Sequence, residues 1–505
     1  MIKRILILIT NLSALLLVVA QAPAIEWQKA LGGSSVDYAN SVQQTADGGY
    51  IVAGSSFSDD GDVAINHGYY DAWIVKLNST GGIQWQKSLG GSDYDEAYSI
   101  QQTSDGGCIV AGFFNYVTNN LSDTNYWIIK LDATGTIQWQ KSLGGNFGDY
   151  AFSIQQTSEG GYVVAGYSAS KNGDVTGNHG SQDFWIVKLN HIGDIQWQKS
   201  FGGSREDLAY SIQQTLDGGY ILAGNSYSND GDVTGNHGSS DYWVVKLANN
   251  GDLIWQKSLG GSGQDMGRSV RQTSDGGYIV AGASGSKNGD VTGNHGEYDA
   301  WVVKLNSIGS MEWQKSLGGN DYDYAHSIQQ TSDGGYVLAG YSSSKNGDIT
   351  GNHGNADFWM VKLTGTGNIQ WQKSLGGSSS DVAFSVQQTS DSGYIVAGST
   401  NSRNGDVTGF HGDQDYWIVK LAPDYLNMNE VFSNNILTIE NPVKNKINIH
   451  TREKITALQL YDWEGKLIKT SNSQNMPLPE LRKGIYILNI QLENGSTISK
   501  KIIKD

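Results

Sequence analysis

An eight-residue segment, GDVTGNHG, occurs intact at 173–180, 231–238 and 289–296. It recurs with Ile349 for Val in a fourth copy and in variant form at 61–68 and 405–412. Within it Asp174, Thr176, Asn178 and the later Asp183 alternate as oxygen ligands would around a hard cation. The set returns as Asp232, Thr234, Asn236 and Asp241, and again as Asp290, Thr292, Asn294 and Asp299. Ca²⁺, which takes several carboxylate, hydroxyl and carbonyl oxygens, is the cofactor such a pattern suits. The same residue types also cap turns through side-chain to backbone hydrogen bonds, and that reading outweighs the cation.

An EF-hand loop is matched only in part, because His179 stands where that loop needs Gly and no bidentate Glu follows. His67, His179, His237, His295, His353 and His411 occupy one place in successive loops. Symmetric copies cannot share one metal, so a hydrogen bond holding each loop is expected of them. Asp37, Asp95, Asp149, Asp207, Asp265, Asp323 and Asp381 recur with the same regularity. Catalysis needs different groups at one point, so these read as structural. Rings offered for stacking on a ligand are Tyr69, Tyr70 and Tyr298, and Phe113, Phe114 and Tyr116 of an atypical segment, FFNYVTNNLSDTN, that replaces the loop in the second copy.

These residues belong to one repeating unit. A WQK phrase places Trp at 27, 85, 139, 197, 255, 313 and 371, and WIVKL-like phrases place a second Trp at 73, 127, 185, 243, 301, 359 and 417. Each unit reads as four short strands. In the fourth unit they are Tyr210–Thr215, Tyr220–Gly224, Tyr242–Leu247 and Leu253–Ser258, with a glycine hairpin after the first and the long loop after the second. Ile25–Leu31 has fourth-strand sequence, and the last unit stops at its third strand, Tyr416–Leu421. The expected fold is therefore all-β: a seven-bladed β-propeller over 25–421 closed by its N-terminal strand. The DGG hairpins fall at one face of the disk and the long loops at the other. The tryptophans of the WIVKL phrases are expected between blades.

The chain has 505 residues, a net charge of −16, a single Cys and only five Pro. One cysteine excludes a disulfide framework and Cys-based metal clusters, and the acidic balance argues against a nucleic-acid partner. TSDGG turns resemble the Asp-box of sialidases, but the arginine triad of those enzymes is not evident. Quinoprotein dehydrogenases are disfavoured by the missing vicinal cysteine pair. Residues 1–24 read as a signal peptide, with Lys3 and Arg4 before an apolar run and cleavage after Ala20. No later segment is apolar enough to span a membrane, and a monomer is expected.

From Ile436 the composition changes, after a linker at 422–435, to short alternating strands that read as a small Ig-like β-sandwich over 436–505. Asn441, Pro442 and Val443, then DWEGKL with Gly465 and Lys466, LRKGIYILNI with Gly484 and Tyr486, and a final KKIIK with Lys500 and Lys501 resemble the type A C-terminal sorting domain of the Bacteroidetes type IX secretion system. Ile439 and Glu440 depart from the Tyr-Pro usual upstream. The resemblance implies periplasmic transit, handling by the type IX machinery and its sorting protease, and delivery to the cell surface or the medium.

With no nucleophile, base and oxyanion arrangement evident, the expected function is a non-enzymatic module that binds an extracellular glycan or protein through its long-loop face. A polysaccharide hydrolase or lyase, or a purely structural surface protein, are the alternatives.

Overall fold

A computed structural model describes residues 22–118, 121–424, 437–439, 443–451, 454–462, 466–478, 481–493 and 497–504. The signal-peptide assignment falls almost wholly on residues outside this set, as does most of the linker. The regular elements are all strands, with no helix among the described residues. The chain divides into two compact units, one of them Ala22–Asp424 and the other containing the C-terminal strands.

The first unit holds seven four-stranded antiparallel sheets. In six of them the strands follow chain order. The remaining sheet joins the N-terminal strand Ile25–Leu31 to the last three strands of the unit, pairing it with Asp415–Leu421. In the fourth sheet the strands are Asp207–Gln214, Tyr220–Ser226, Asp241–Leu247 and Leu253–Leu259. The first and third begin earlier than the apolar pattern predicts. The reason is the side-chain chemistry of their first residues: Asp207, Ser226 and Asp241 stand in register across the sheet. The other end carries the glycine hairpins, so one end of every sheet is a hairpin end and the other a loop end.

The two middle strands are buried on both faces, which is why they read as nearly continuous apolar runs. Trp243, Val245 and Leu247 project from one face onto Val163, Ala165, Phe184 and Ile186 of the preceding sheet. The Trp243 ring lies 4.5 Å from that of Phe184, and its indole N–H donates to Gln256 Oε1 at 2.8 Å. Removing such a ring would cost roughly 3–5 kcal/mol. The first strand carries a bulge, a register shift between Ala209 and Ser211. Opposite it a Cβ on Gly224 would lie 1.9 Å from the Leu208 carbonyl oxygen, so only glycine lets the two backbones approach.

Successive first strands are tied by side chains. Ile212 N donates to Ser153 Oγ and Val270 N to Ser211 Oγ, each at 3.2 Å. The same bond runs from Val42 N to Ser385 Oγ, between the first sheet and the last. Tyr416 likewise donates its hydroxyl to the Trp73 carbonyl at 2.9 Å, as Tyr242 does to that of Trp301.

In the C-terminal unit Leu437–Ile439, Lys446–Thr451 and Asn475–Pro477 form one sheet, and Leu467–Ser471, Ile455–Asp462, Gly484–Leu492 and Thr497–Lys504 form another. Ile447, Leu458, Leu460, Met476, Leu488 and Ile490 share one apolar cluster. The short strand Asn475–Pro477 lacks an apolar alternation and is not foreseen by the sequence pattern.

Candidate functional site

The loop end is built by anchoring each long loop at many points. In the fourth sheet Val233 is buried beneath the loop. Asp232 N donates to the Gly202 carbonyl at 2.9 Å, and Asp232 Oδ2 accepts from Gly202 N at 3.2 Å. Asn236 Nδ2 donates to the Ser226 and Ser228 carbonyls, each at 3.0 Å, while its Oδ1 accepts from Gly238 N. His237 donates its backbone N–H to Asp241 Oδ2 at 3.0 Å, and its ring Nδ1 lies 2.6 Å from the same oxygen. All six loop histidines make this contact with an aspartate four residues on.

These bonds account for the oxygens proposed as cation ligands. Asp174 accepts from Gly144 N, Thr176 from Gln198 Nε2, Asn178 from Gly180 N, and Asp183 from His179. Thr234 is bonded by Gln256. Asp290, Thr292, Asn294 and Asp299 repeat the pattern with Gly260, Gln314, Gly296 and His295. Each oxygen therefore faces a different partner. Among the described residues no group of three or more His, Cys, Asp or Glu side chains is arranged to hold a metal ion.

Beneath the loops lie two buried carboxylates per junction. Asp207 accepts from Ser226 Oγ, from Ser228 Oγ at 2.8 Å and from Gly203 N at 2.8 Å. Asp183 of the preceding sheet flanks the same Gly202 corner, where a Cβ would meet one oxygen of each aspartate at 2.7 Å. Burial pushes Asp207 and Asp241 up to about 6, against the opposing effect of their hydrogen bonds. In the second sheet Asn125 takes the third-strand aspartate's place.

The rings singled out from sequence fall into three groups. Tyr69 is half exposed and stacks on Tyr94 at 5.2 Å with planes 3° apart, and on Phe57 at 6.0 Å. Tyr70 lies against both Phe57 and Tyr94. Tyr298 stacks on Tyr322 and Tyr324 at another junction. The second sheet differs from expectation, because its segment is not a loop. It continues two strands, Cys108–Thr118 and Leu121–Leu131, into a long hairpin. In consequence Phe113 is buried against Tyr98 and Tyr150, and Phe114 packs on Trp127, so neither ring is offered as a free face. The Tyr116 side chain lies outside the described residues.

Sequence reasoning missed Phe57 and Tyr94. The signal was present in the repeat, since Ala169 and Ser343 stand at the place of Phe57, and Gly148 and Gln264 at that of Tyr94. It also missed a cleft of about 430 Å³ beside the fourth sheet's loop, lined by Arg205, Tyr227, Asn229, Asp230, Asn236 and His237 among others.

Of the sorting-motif residues, Lys466, Gly484, Tyr486 and Lys500 are described. Lys466 N donates to Asp462 Oδ1 at 2.8 Å, and Tyr486 donates its hydroxyl to the Arg482 carbonyl. Asn441, Pro442, Gly465 and the Lys501 side chain lie outside the described residues. No described helix is long and apolar enough to cross a membrane.

A 205-residue stretch is 27% identical to the regulatory protein FlaEY of Caulobacter vibrioides, covering 36% of this chain and 21% of that protein. The chain thus spans about a fifth of the length of this curated relative. Among solved structures, the extracellular domain of a hybrid two-component system from B. thetaiotaomicron matches with a TM-score of 0.42 and 12% identity, over 93% of this chain and 56% of that one. The WD40 domain of Neurospora crassa Pan2 matches with 0.44 and 9%, over 78% and 95%. The β-propeller domain of the Trilobed protease from Pyrococcus furiosus matches with 0.37 and 7%, over 82% and 100%. Residues 441–505 match the family described as the secretion system C-terminal sorting domain. The chain therefore carries a type IX sorting domain at its C-terminal end and is exported to the cell surface or secreted.

Proposed function

We propose that this protein is a non-enzymatic binding module for an extracellular glycan. In this reading residues 25–421 are a seven-bladed propeller closed by Ile25–Leu31. Residues 1–24 are the export signal, 422–435 a linker, and 436–505 an Ig-like sorting module that the type IX protease removes. The ring closure is supported by the serine and tyrosine bonds that join the last sheet to the first just as they join the others.

The observation that carries the binding role is the stack of Phe57, Tyr69, Tyr70 and Tyr94 at the loop end. Phe57, Tyr69 and Tyr94 remain substantially exposed. A solvated platform of parallel rings presents flat apolar faces and phenolic hydroxyls together, which suits a sugar ring with its own apolar face and polar rim. The near-identical carboxylates of successive junctions favour a structural role over an acid and base pair.

A screen of the mature protein against neutral and acidic oligosaccharides tests this. Binding is expected, with at least a tenfold loss in Tyr69→Ala and Tyr94→Ala. Unchanged binding in the double variant, or turnover of a polysaccharide by the wild type, overturns the reading.

A further inference from the structure

The bulge in each first strand re-aims one side chain, the residue just before the serine that ties neighbouring sheets together. The copies differ here. Tyr98, Phe152, Tyr210, Arg268, His326 and Phe384 occupy the place in six sheets, and Asn40 of the first sheet donates to the Ala97 carbonyl. These side chains form a layer that runs from sheet to sheet. Tyr98 and Phe152 lie 4.7 Å apart, Phe152 and Tyr210 5.1 Å, and His326 and Phe384 5.1 Å, while the Arg268 guanidinium sits 4.0 Å over the Tyr210 ring. All are only partly buried.

Two arginines on one strand break the symmetry. Arg268 Nε is buried and has no hydrogen-bond partner among the described residues. Three residues on, Arg271 replaces the glutamine found in the other six sheets, and its Nη1 donates to Ser211 Oγ at 3.2 Å and to the Val270 carbonyl at 2.7 Å. Both guanidinium groups thus reach the same neighbouring strand, at Tyr210 and Ser211. No arginine in the described residues has a carboxylate within 4.0 Å. That is unexpected in a unit this acidic. The signal segment and residues 422–505 each carry a net +2, which leaves −20 on residues 25–421. Partly desolvated guanidinium groups without a counter-charge are costly unless an anion completes them. The local positive field is also felt by His326, which burial and then the Arg268 charge push down to about 3.

We propose that this layer is a subsite for the acidic end of a saccharide, its carboxylate or sulfate held by Arg268 and Arg271 beside Tyr210 and Ser211. A guanidinium fork matches both oxyanions, and the Tyr210 ring beneath Arg268 holds that fork in place. The subsite rests on the glycan reading above and adds to it the charge of the ligand.

The test uses the mature protein and three probes, trigalacturonate, a sulfated galactan disaccharide and neutral galactotriose, with affinities measured by calorimetry. At least one acidic probe is expected to bind ten times more tightly than the neutral one, and which acid wins identifies the oxyanion. Arg271→Gln installs the residue that six sister copies carry, and Arg268→Tyr the residue at 98 and 210, so both variants keep a side chain the fold already accommodates. Each is expected to lower acidic-probe affinity at least tenfold while leaving the neutral probe unchanged. Equal affinity for acidic and neutral probes, or wild-type acidic binding in the double variant, overturns the subsite. Failure of the outer platform has a different signature: neutral-probe affinity that Tyr69→Ala and Tyr94→Ala leave unaltered.

Discussion

At the hairpin end of the fourth sheet a buried lysine, Lys246, meets a mostly exposed aspartate, Asp217, at 3.0 Å. At the loop end of the same sheet the burial is reversed. Asp207 and Asp241 are fully buried, and their partners are hydroxyls, backbone N–H groups and a partly exposed histidine. The hairpin arrangement is repeated in six of the seven sheets, the third having Glu159 in the aspartate's place: Thr215 Oγ1 and Gly219 N both bond Asp217 Oδ1, as Thr273 and Gly277 bond Asp275. The loop end keeps its first-strand aspartates and, in six sheets, the histidine-anchored loop over them, but varies the residues set beside these, from the rings at Phe57 and Tyr94 to the cleft at Arg205. One end is constant because it closes the sheets; the other holds a constant base under a changing surface. The proposed glycan platform lies at the second.

Removing one carboxylate from each end of one sheet separates the two ends most sharply. Asp207→Ala leaves Ser226, Ser228 and Gly203 N without their acceptor inside the protein, and a loss of about 2–4 kcal/mol is expected. Asp217→Ala opens a site that water already reaches, and Lys246 keeps the Thr215 hydroxyl and the Leu247 carbonyl. About 1 kcal/mol is expected there. Denaturant unfolding of both variants decides the matter, and a costlier hairpin change would reverse the assignment of the two ends.

The ends also respond to pH with opposite sign. Hydrogen bonding by Thr45 and Lys76 lowers Asp47 to about 2, and Asp217 and Asp275 are held at about 2 by their Thr and Lys partners in spite of some burial. Their contribution is present above about pH 4, the unfolded value, and is lost as pH falls through 2. Asp95, Asp149, Asp207 and Asp241 are raised to about 6 by burial, so their contribution is complete below about pH 4 and is lost as pH rises through 6. The protein is therefore expected to melt at a higher temperature at pH 5 than at pH 7.5, by about 1 kcal/mol or more of added stability, and to lose stability below pH 3. A melting temperature that falls steadily from pH 7.5 to 5 would show that the loop-end carboxylates are not strained by burial.

The legible part of this molecule is the part that repeats. Alternation and turn residues place the four strands of every unit, and the third-strand tryptophans are buried as their spacing requires, Trp73, Trp185 and Trp243 completely. The loop histidines bond within their loops, as their symmetry implies. What escaped were contacts made between neighbouring units. Tyr69 meets Tyr94 across a sheet junction, 25 residues on, and no single-unit pattern joins them. The bulge hid the layer of first-strand side chains, because one extra residue shifts the period of two and turns Tyr98 or Arg268 away from its expected face. The second sheet's hairpin was masked by polar composition, which suits an extended two-stranded ribbon as well as a loop.

The smallest expected effect concerns Ser392, which has a φ of +67° where Gly48, Gly106 and Gly218 occupy the other hairpins at +78° to +85°. A Cβ disfavours this region by about 1 kcal/mol, while glycine gives back part of that through a more flexible unfolded chain. Ser392→Gly is therefore expected to stabilise by about 0.5 kcal/mol, and Gly218→Ser to cost a similar amount. Sterics do not contribute, because a Cβ at Gly218 would meet nothing within 4 Å. Gly202 at the loop end is the contrasting case, since its Cβ would press on oxygens of both Asp183 and Asp207 at 2.7 Å. Gly202→Ala should accordingly cost more than Gly218→Ser, even though the Gly202 backbone needs no positive φ. Equal costs in thermal unfolding would mean that the loop-end corner yields as freely as the hairpin. The buried carboxylates could not then be the rigid base on which the varied loop surface is laid.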